Sequence, residues 1–370
     1  MNSPQYCQGS SEGGCIRQSH QPYAFLVCKP TIGYKWYKYP KNYLQDSIKF
    51  EHQFFNTSHT RNRSTMKLST ILPVFGLLVS LCQAQADPNT LARYNPANRT
   101  MSANTTYCLV PISKTLVKTI TGYDPLDIDI SILPSFPTGK HPLIVQAGYQ
   151  KDIRMTALNL IPLQIDSLMQ GSLIVPFVDV TKDGQTPIGV PVNFYIGGTN
   201  GQPLQAIVPS IASGVSPFEG TTIFPATFSP DTSAARALPN GFNSIQVKPF
   251  LLPNTISGPG IYAEAFDISF KTTDSSPYTA HTFHSLLNIP QLLNTNKCQR
   301  NTVYFNESSS EPQMAVGEVT LYHQILATPP QGLEGVYRDV YCYSANGQVV
   351  SSLGEPCKVA AANMDPEAKV

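Results

Sequence analysis

One apolar run sets the conditions under which the rest of the chain folds. Residues 66–86 open on Met66-Lys67, continue through an apolar stretch at 68–81, and close on Gln83-Ala84-Gln85-Ala86. A basic start, a short greasy centre and a small-x-small end mark a secretory signal peptide, with cleavage expected after Ala86 and Asp87 as the mature N-terminus. An uncleaved signal-anchor is the second reading, but the run contains Pro73 and is shorter than the roughly 20 residues that a spanning helix needs. No other stretch is apolar and long enough to span, so no membrane association is expected once the leader is removed. The expected location is extracellular, and everything downstream should fold under oxidising conditions.

That compartment explains the cysteines. Cys7, Cys15 and Cys28 lie upstream and Cys82 inside the leader, which leaves Cys108, Cys298, Cys342 and Cys357. Four cysteines in a secreted protein imply two disulfides with three possible connectivities. Cys342–Cys357 and Cys108–Cys298 are the expected pairs. No Cys-x-x-Cys exists, so no metal site is expected at the cysteines. Asn98-Arg-Thr, Asn104-Thr-Thr and Asn306-Glu-Ser are glycan acceptors expected on surface loops.

Charge divides the chain at the same place. Residues 1–65 carry 8 Lys+Arg against 3 Asp+Glu, whereas residues 87–370 carry 16 against 21. The mature part is mildly acidic and has no basic block, which argues against a nucleic-acid partner. The aromatic-basic run from Tyr34 to Tyr43 could grip a single strand by stacking and charge. The simpler reading is that Met66 is the true start. Residues 1–65 are then a disordered upstream segment that is absent from the mature protein.

From Thr106 onward the pattern is strands and turns, which predicts a mainly β chain: one large antiparallel β-barrel or sandwich over 106–359 with few short helices. A flexible segment at 87–105 and a flexible tail at 360–370 flank it. Residues 126–132 alternate apolar and polar, the mark of a half-buried strand. Apolar runs at 143–147, 172–180, 188–196, 204–208, 221–228, 242–252, 261–271 and 313–327 continue the series, punctuated by turns at Lys182-Asp183-Gly184 and at 197–201. Ala345-Asn346-Gly347, between two apolar runs, is the strongest hairpin signal. Residues 158–169 are the best helix candidate.

Few residues point to chemistry. The chain has no Gly-x-Ser-x-Gly elbow, no His-Glu-x-x-His, no phosphate loop and no dinucleotide fingerprint. No cofactor or metal is expected. Along 262–270, Tyr262, Glu264, Phe266, Ile268 and Phe270 share one face by period two, so Glu264 is expected to point into apolar surroundings. A carboxylate there must pair or take a raised pKa, as in a ligand-gripping or acid–base group. His323 shares an apolar face with Val319, Leu321 and Ile325. His281 and His284 are three apart and meet on one side only in a helical turn. Arg154 is a candidate for bidentate anion binding. Each has a structural alternative: a buried pair, a hydrogen-bonded core histidine or a strand-edge arginine.

One stretch resembles a known family. Gly171-Ser-Leu-Ile-Val-Pro-Phe177, a Gly-bearing hairpin, Asn193-Phe-Tyr-Ile196 and Pro217-Phe-Glu-Gly-Thr-Thr-Ile-Phe-Pro-Ala226 follow in order. This arrangement, over about residues 170–228, resembles the acetoacetate decarboxylase-like fold. The remainder of the chain is similar to uncharacterised secreted proteins of fungal type. In the family, a strand ending in Val-Pro leads to an Arg-Glu…Gly-Phe-Pro-Lys segment whose lysine forms a Schiff base with a β-keto acid. Here Ala226 and Thr227 follow Phe224-Pro225 and neither can form an imine. Only Glu219 matches the Arg-Glu. Lys248 could substitute from another strand, although its neighbours Ser244 and Gln246 make that face polar.

The resemblance and the residues together lead to a secreted glycoprotein that binds a small molecule in a barrel without turning it over. A surface or matrix protein acting through its exterior is the second reading. A lyase or hydrolase using Glu264, His323 or Lys248 is the third. The leader generates a direct prediction: the intact mass of protein recovered from the medium corresponds to a chain starting at Asp87. Secreted protein that still carries residues 1–65 would overturn this expectation.

Overall fold

The computed structural model describes residues 89–128, 131–157, 161–202, 223–249, 264–305, 311–322 and 332–364, and the backbone of three short strands nearer the N-terminus. The leader at 66–86, the run at 204–208, Asn306 and His323 lie outside the described residues. The chain forms two units, Met1–Gln83 and Ala84–Val370. In the first, β1 (Arg17–Gln18), β2 (Tyr23–Cys28) and β3 (Lys35–Pro40) form an antiparallel sheet in the order β1-β2-β3.

The second unit is mainly β. In chain order it contains β4 (Arg99–Ser113), helix α1 (Lys114–Thr121), β5 (Lys140–Ala157), β6 (Ile161–Val178) and β7 (Ile188–Gly197). β8 (Ile223–Ser229), β9 (Arg236–Ala237), β10 (Asn243–Pro249), β11 (Phe266–Thr272) and helix α2 (Ala280–Leu287) follow. The chain continues through β12 (Gln291–Leu292), β13 (Cys298–Gln299), β14 (Asn301–Tyr304), β15 (Gln313–Leu321), β16 (Gly335–Ser351) and helix α3 (Cys357–Ala362). Among the described residues no helix is long and apolar enough to cross a membrane.

Nine strands close into a barrel in the order β7-β6-β5-β4-β16-β15-β11-β10-β8. The neighbours are antiparallel except at the seam, where β7 and β8 run parallel with Phe194 opposite Ile223 and Ile196 opposite Pro225. Short strands add to the outside: β12 and β13 beyond β7, β9 on β10, and β14 on the second half of β16. The expected mainly β class, with few short helices, is therefore what the chain adopts, as a barrel.

Each strand buries one row of side chains inside and, over part of the circumference, another row outside. The interior cluster draws on every barrel strand, including Val110, Val145, Leu173, Tyr195, Phe228, Val247, Phe266 and Val319. Val117 of α1 joins it and is completely buried. The outer cluster lies beneath α2, where Phe283 stacks on Tyr343 with centroids 5.3 Å apart and Phe305 meets Tyr343 edge-on at 5.1 Å. The α2 helix starts on a capping box in which Thr279 and Thr282 satisfy each other's backbone N–H groups.

Several local expectations are corrected, each by a tertiary cause. Residues 161–169 are the first half of β6, not a helix, with Ala157 opposite Ile161 and Tyr149 opposite Met169. Residues 126–128 and 131–133 do not form a strand. Leu126 and Leu133 are buried against the outer cluster, and the pairing just ahead of them is a single bridge between Pro125 and Val178, with Leu126 N–H donating to Phe177 O at 2.8 Å. The Asn346-Gly347 hairpin does not exist, because both residues lie inside the continuous strand β16, opposite Asn104 and Ala103 of β4. Glycine serves there for close approach: a Cβ on Gly347 would come within 2.9 Å of Val303 Cγ1 and 3.3 Å of Phe305. β4 begins at Arg99 rather than Thr106, and the tail packs as far as Met364, which is buried. Asn98 precedes β4 in a turn, whereas Asn104 lies within β4 and not on a loop.

The disulfides are also re-paired. Cys108 bonds Cys342, and Cys298 bonds Cys357. The expectation favoured the short 342–357 loop, but adjacency in the barrel decides. Cys342 sits directly opposite Cys108 in the β16–β4 register, their Cα atoms 4.0 Å apart. The second bond ties the start of α3 to β13. Non-reducing peptide mapping should recover 108–342 and 298–357 linked fragments only. Removing the first bond as a Cys108→Ala/Cys342→Ala pair should lower stability by roughly 2–5 kcal/mol in denaturant unfolding.

Candidate functional site

The sequence candidates do not converge. Arg154 lies in β5 and binds Asp152 through two bonds, Nε to Oδ1 at 2.8 Å and Nη2 to Oδ2 at 2.7 Å. Asp152 also accepts from Gln164 Nε2 at 2.8 Å and is buried, with φ +46° at a register shift of β5. The guanidinium thus holds an internal carboxylate. His281 and His284 share the outward side of α2, where helical spacing brings residues three apart together. His281 is exposed, and His284 is half-buried with its ring 6.5 Å from that of Phe305. Among the described residues no group of three metal-ligating side chains forms, at these histidines or elsewhere.

Glu264 does not point into the barrel. The period-two expectation placed it with Phe266, Ile268 and Phe270, which are indeed buried. Ahead of β11, however, the alternation slips by one residue. Ala265 and Phe266 are consecutive, both fully buried, and both in the interior cluster. Ala265 N–H donates to Val247 O at 2.8 Å, while Phe266 is the residue opposite Val247. Two residues therefore face one, as in a β-bulge, and Glu264 is turned to the outer face. Its carboxylate meets Lys248 Nζ at 2.9 Å, with side-chain exposures of 38% and 36%.

The slip assembles a polar patch on the outer side of β10, β11 and the end of β15. The inward row of β10 is Ile245, Val247 and Pro249, so Gln246 and Lys248 point outward. Gln246 lies directly opposite Asp267. Asp267 Oδ2 accepts from Tyr322 Oη at 3.0 Å and from Gln246 Nε2 at 3.3 Å. Its other oxygen, Oδ1, is buried with no hydrogen-bond partner. Desolvation raises the Asp267 carboxyl pKa, against the opposing pull of the Tyr322 and Gln246 hydrogen bonds. The Tyr322 phenol is pushed up to about 12, first by burial and then by the Asp267 and Glu264 carboxylates. It stays protonated and acts as a donor. One ammonium, two carboxylates, a phenol and an amide can grip a small polar molecule with both donors and acceptors. Asp267, Gln246 and Tyr322 were not singled out from the sequence. The available signal was Gln246, Lys248 and Asp267 sharing the polar phase of two adjacent strands.

A second buried polar group was also missed. His141, at the start of β5, is completely buried, and its Nε2 donates to Pro176 O at 2.7 Å while Nδ1 has no partner. Burial is the main cause that lowers its pKa from 6.5 to about 4.

No protein-family model matches the chain. No curated protein sequence matches it either. Solved structures do. An enduracididine biosynthesis enzyme, MppR, complexed with the condensation product of pyruvate and imidazole 4-carboxaldehyde, has TM-score 0.41 and 9% identity, covering 70% of this chain and 88% of that one. An acetoacetate decarboxylase-like enzyme from Sphingomonas wittichii RW1 has TM-score 0.39 and 10% identity, covering 70% and 94%. A structure of acetoacetate decarboxylase has TM-score 0.42 and 8% identity, covering 69% and 88%. Phe224, Pro225 and Ala226 lie in β8, and Ala226 is 1% exposed inside the barrel.

His141 gives a pH prediction with a definite sign. A histidine whose folded pKa lies below its unfolded value of 6.5 contributes stability that is complete above pH 6.5 and is lost as pH falls towards about 4. The loss across that window is about 3 kcal/mol, at roughly 1.4 kcal/mol per pH unit. Urea unfolding of a His141→Gln variant should show a correspondingly shallower fall in stability between pH 6.5 and 4 than the native chain.

Proposed function

We propose that this is a secreted, disulfide-stapled β-barrel that binds a small polar molecule without turning it over, and that the Lys248–Glu264–Asp267–Tyr322 patch grips it. The observation that carries the non-catalytic part is the placement of the lysines. Imine chemistry at neutral pH needs an amine activated by desolvation or by a neighbouring cation. Every lysine from residue 87 on except Lys369 lies among the described residues, and none is buried. Lys248, the one candidate substitute, stands on the outer face beside a carboxylate. The resemblance puts Ala226, a methyl group, where the family has its lysine.

The binding part is supported by the half-exposed patch itself. Lys248 can pair with a ligand carboxylate. Asp267 Oδ1, buried and unpartnered, can accept from a ligand hydroxyl or ammonium. A small hydroxy or amino acid fits this donor–acceptor set. The paired cysteines and the sequons at Asn98 and Asn104 agree with an exported, glycosylated protein.

A second reading, a surface protein acting through its exterior, is favoured by one observation: apolar side chains from all nine strands fill the barrel interior. Titration with pyruvate, lactate and alanine, read by calorimetry and by product analysis, separates the possibilities. Lactate or alanine should bind and be recovered unchanged, and Lys248→Ala should weaken binding at least tenfold. Borohydride in the presence of pyruvate should leave every lysine unmodified. A trapped lysine adduct would establish the enzyme reading, and no binding of any of the three would leave the exterior reading in its place.

A further inference from the structure

We infer that Asn200 is a site of spontaneous covalent modification, at which the next backbone nitrogen displaces the side-chain amide with Asp231 as proton acceptor, and that conversion there loosens the closing seam of the barrel. This goes beyond the outer patch and does not depend on it.

In an Asn-Gly step the glycine nitrogen can attack the asparagine side-chain carbonyl, because glycine has no Cβ to hinder the approach. The chain has three such steps, Asn200-Gly201, Asn240-Gly241 and Asn346-Gly347. Their surroundings differ. Asn346 and Gly347 lie inside β16, where pairing with Asn104 and Ala103 holds the backbone extended. Gly241 N–H donates to the neutral carbonyl of Leu238 at 3.0 Å, and Asn240 Oδ1 is turned towards Phe242 N–H at 3.2 Å. Gly201 N–H donates instead to Oδ2 of the Asp231 carboxylate. Attack requires the nitrogen to lose this proton, and a carboxylate within hydrogen-bond reach is placed to take it.

The step is also exposed and sits where the barrel closes. Asn200 and Gly201 face solvent at the centre of a tight turn, with φ +55° and +69° and Gln202 N–H donating to Thr199 O at 3.1 Å. The turn follows β7, and Asp231 follows β8. The parallel pairing of these strands is short, from Phe194 opposite Ile223 to Ile196 opposite Pro225. Beyond it, Asp231 ties the two strand ends together, through its carboxylate to Gly201 and through its carbonyl to Asn200 N–H at 3.4 Å.

The reaction balances without an oxidant or reductant. Asp231 takes the Gly201 N–H proton, and the nitrogen bonds to Asn200 Cγ. The Cγ–Nδ2 bond breaks, and Nδ2 leaves as ammonia with the proton that Asp231 returns. Water then opens the cyclic imide at either carbonyl, giving aspartate or isoaspartate. Each product places a new negative charge next to the residue that Asp231 holds, and isoaspartate also lengthens the backbone of the turn by a methylene group. Both changes oppose the tie across the seam.

Peptide mapping of folded protein held at neutral pH tests this, with aspartate and isoaspartate resolved at each of the three steps. Asn200 should convert roughly tenfold or more faster than Asn240, and Asn346 should stay intact. In the urea-unfolded chain the three steps should convert alike. Asp231→Ser, which keeps a neutral oxygen but no base, should slow Asn200 to the rate of Asn240 while leaving Asn240 itself unchanged. Converted protein, separated by its added charge, should melt below fresh protein. Folded protein in which Asn200 converts no faster than Asn240 would overturn the proposal, and this comparison needs no variant. An Asp231→Ser protein whose Asn200 converts at the native rate or faster would overturn the role of Asp231, and an unchanged Tm of the converted fraction would overturn the effect on the seam.

Discussion

The structure depends on barrel closure. β7 and β8 meet in parallel across the seam, and that pairing turns an open run of antiparallel strands into a ring without free edges. Once the ring exists, each strand has two fixed sides and two fixed neighbours. The inner row must be apolar and the backbone groups are spoken for. Leu126 and Leu133 pack on the outside, against the outer cluster.

Closure also decides which distant residues meet. Cys108 and Cys342 are 234 residues apart in sequence but directly opposite in register. The barrel register places their Cα atoms 4.0 Å apart, within bonding reach. The long strand β16 carries this further. Its first half pairs with β15 and its second half with β14, while β4 runs along its other side. At Asn346-Gly347 the unbroken pairing with Asn104 and Ala103 of β4 holds the chain extended, so no hairpin forms there.

Outside the barrel, a one-residue slip at Ala265–Phe266 swings Glu264 onto Lys248 and aligns it with Asp267 and Tyr322. Exposed ion pairs such as Lys248–Glu264 contribute little to stability, about 0–1 kcal/mol, so the patch is weakly explained as a structural device.

Much of this protein was legible residue by residue. Alternation and turn chemistry identify the β class and many of the strands, because side chains two apart share a face whatever the fold. The number of cysteines available for pairing and the polar phase of Gln246 and Lys248 are local facts, legible without the fold. What the sequence could not supply was anything set by register. Disulfide partners, the continuity of β16 through Gly347, the strand at 161–169 and the direction of Glu264 all turn on how one strand lies against another. A slip of one residue reverses every side chain beyond it, and no local pattern records where such a slip occurs. Composition and periodicity thus determined what this chain is made of, and the closed ring of strands decided which of its residues face one another.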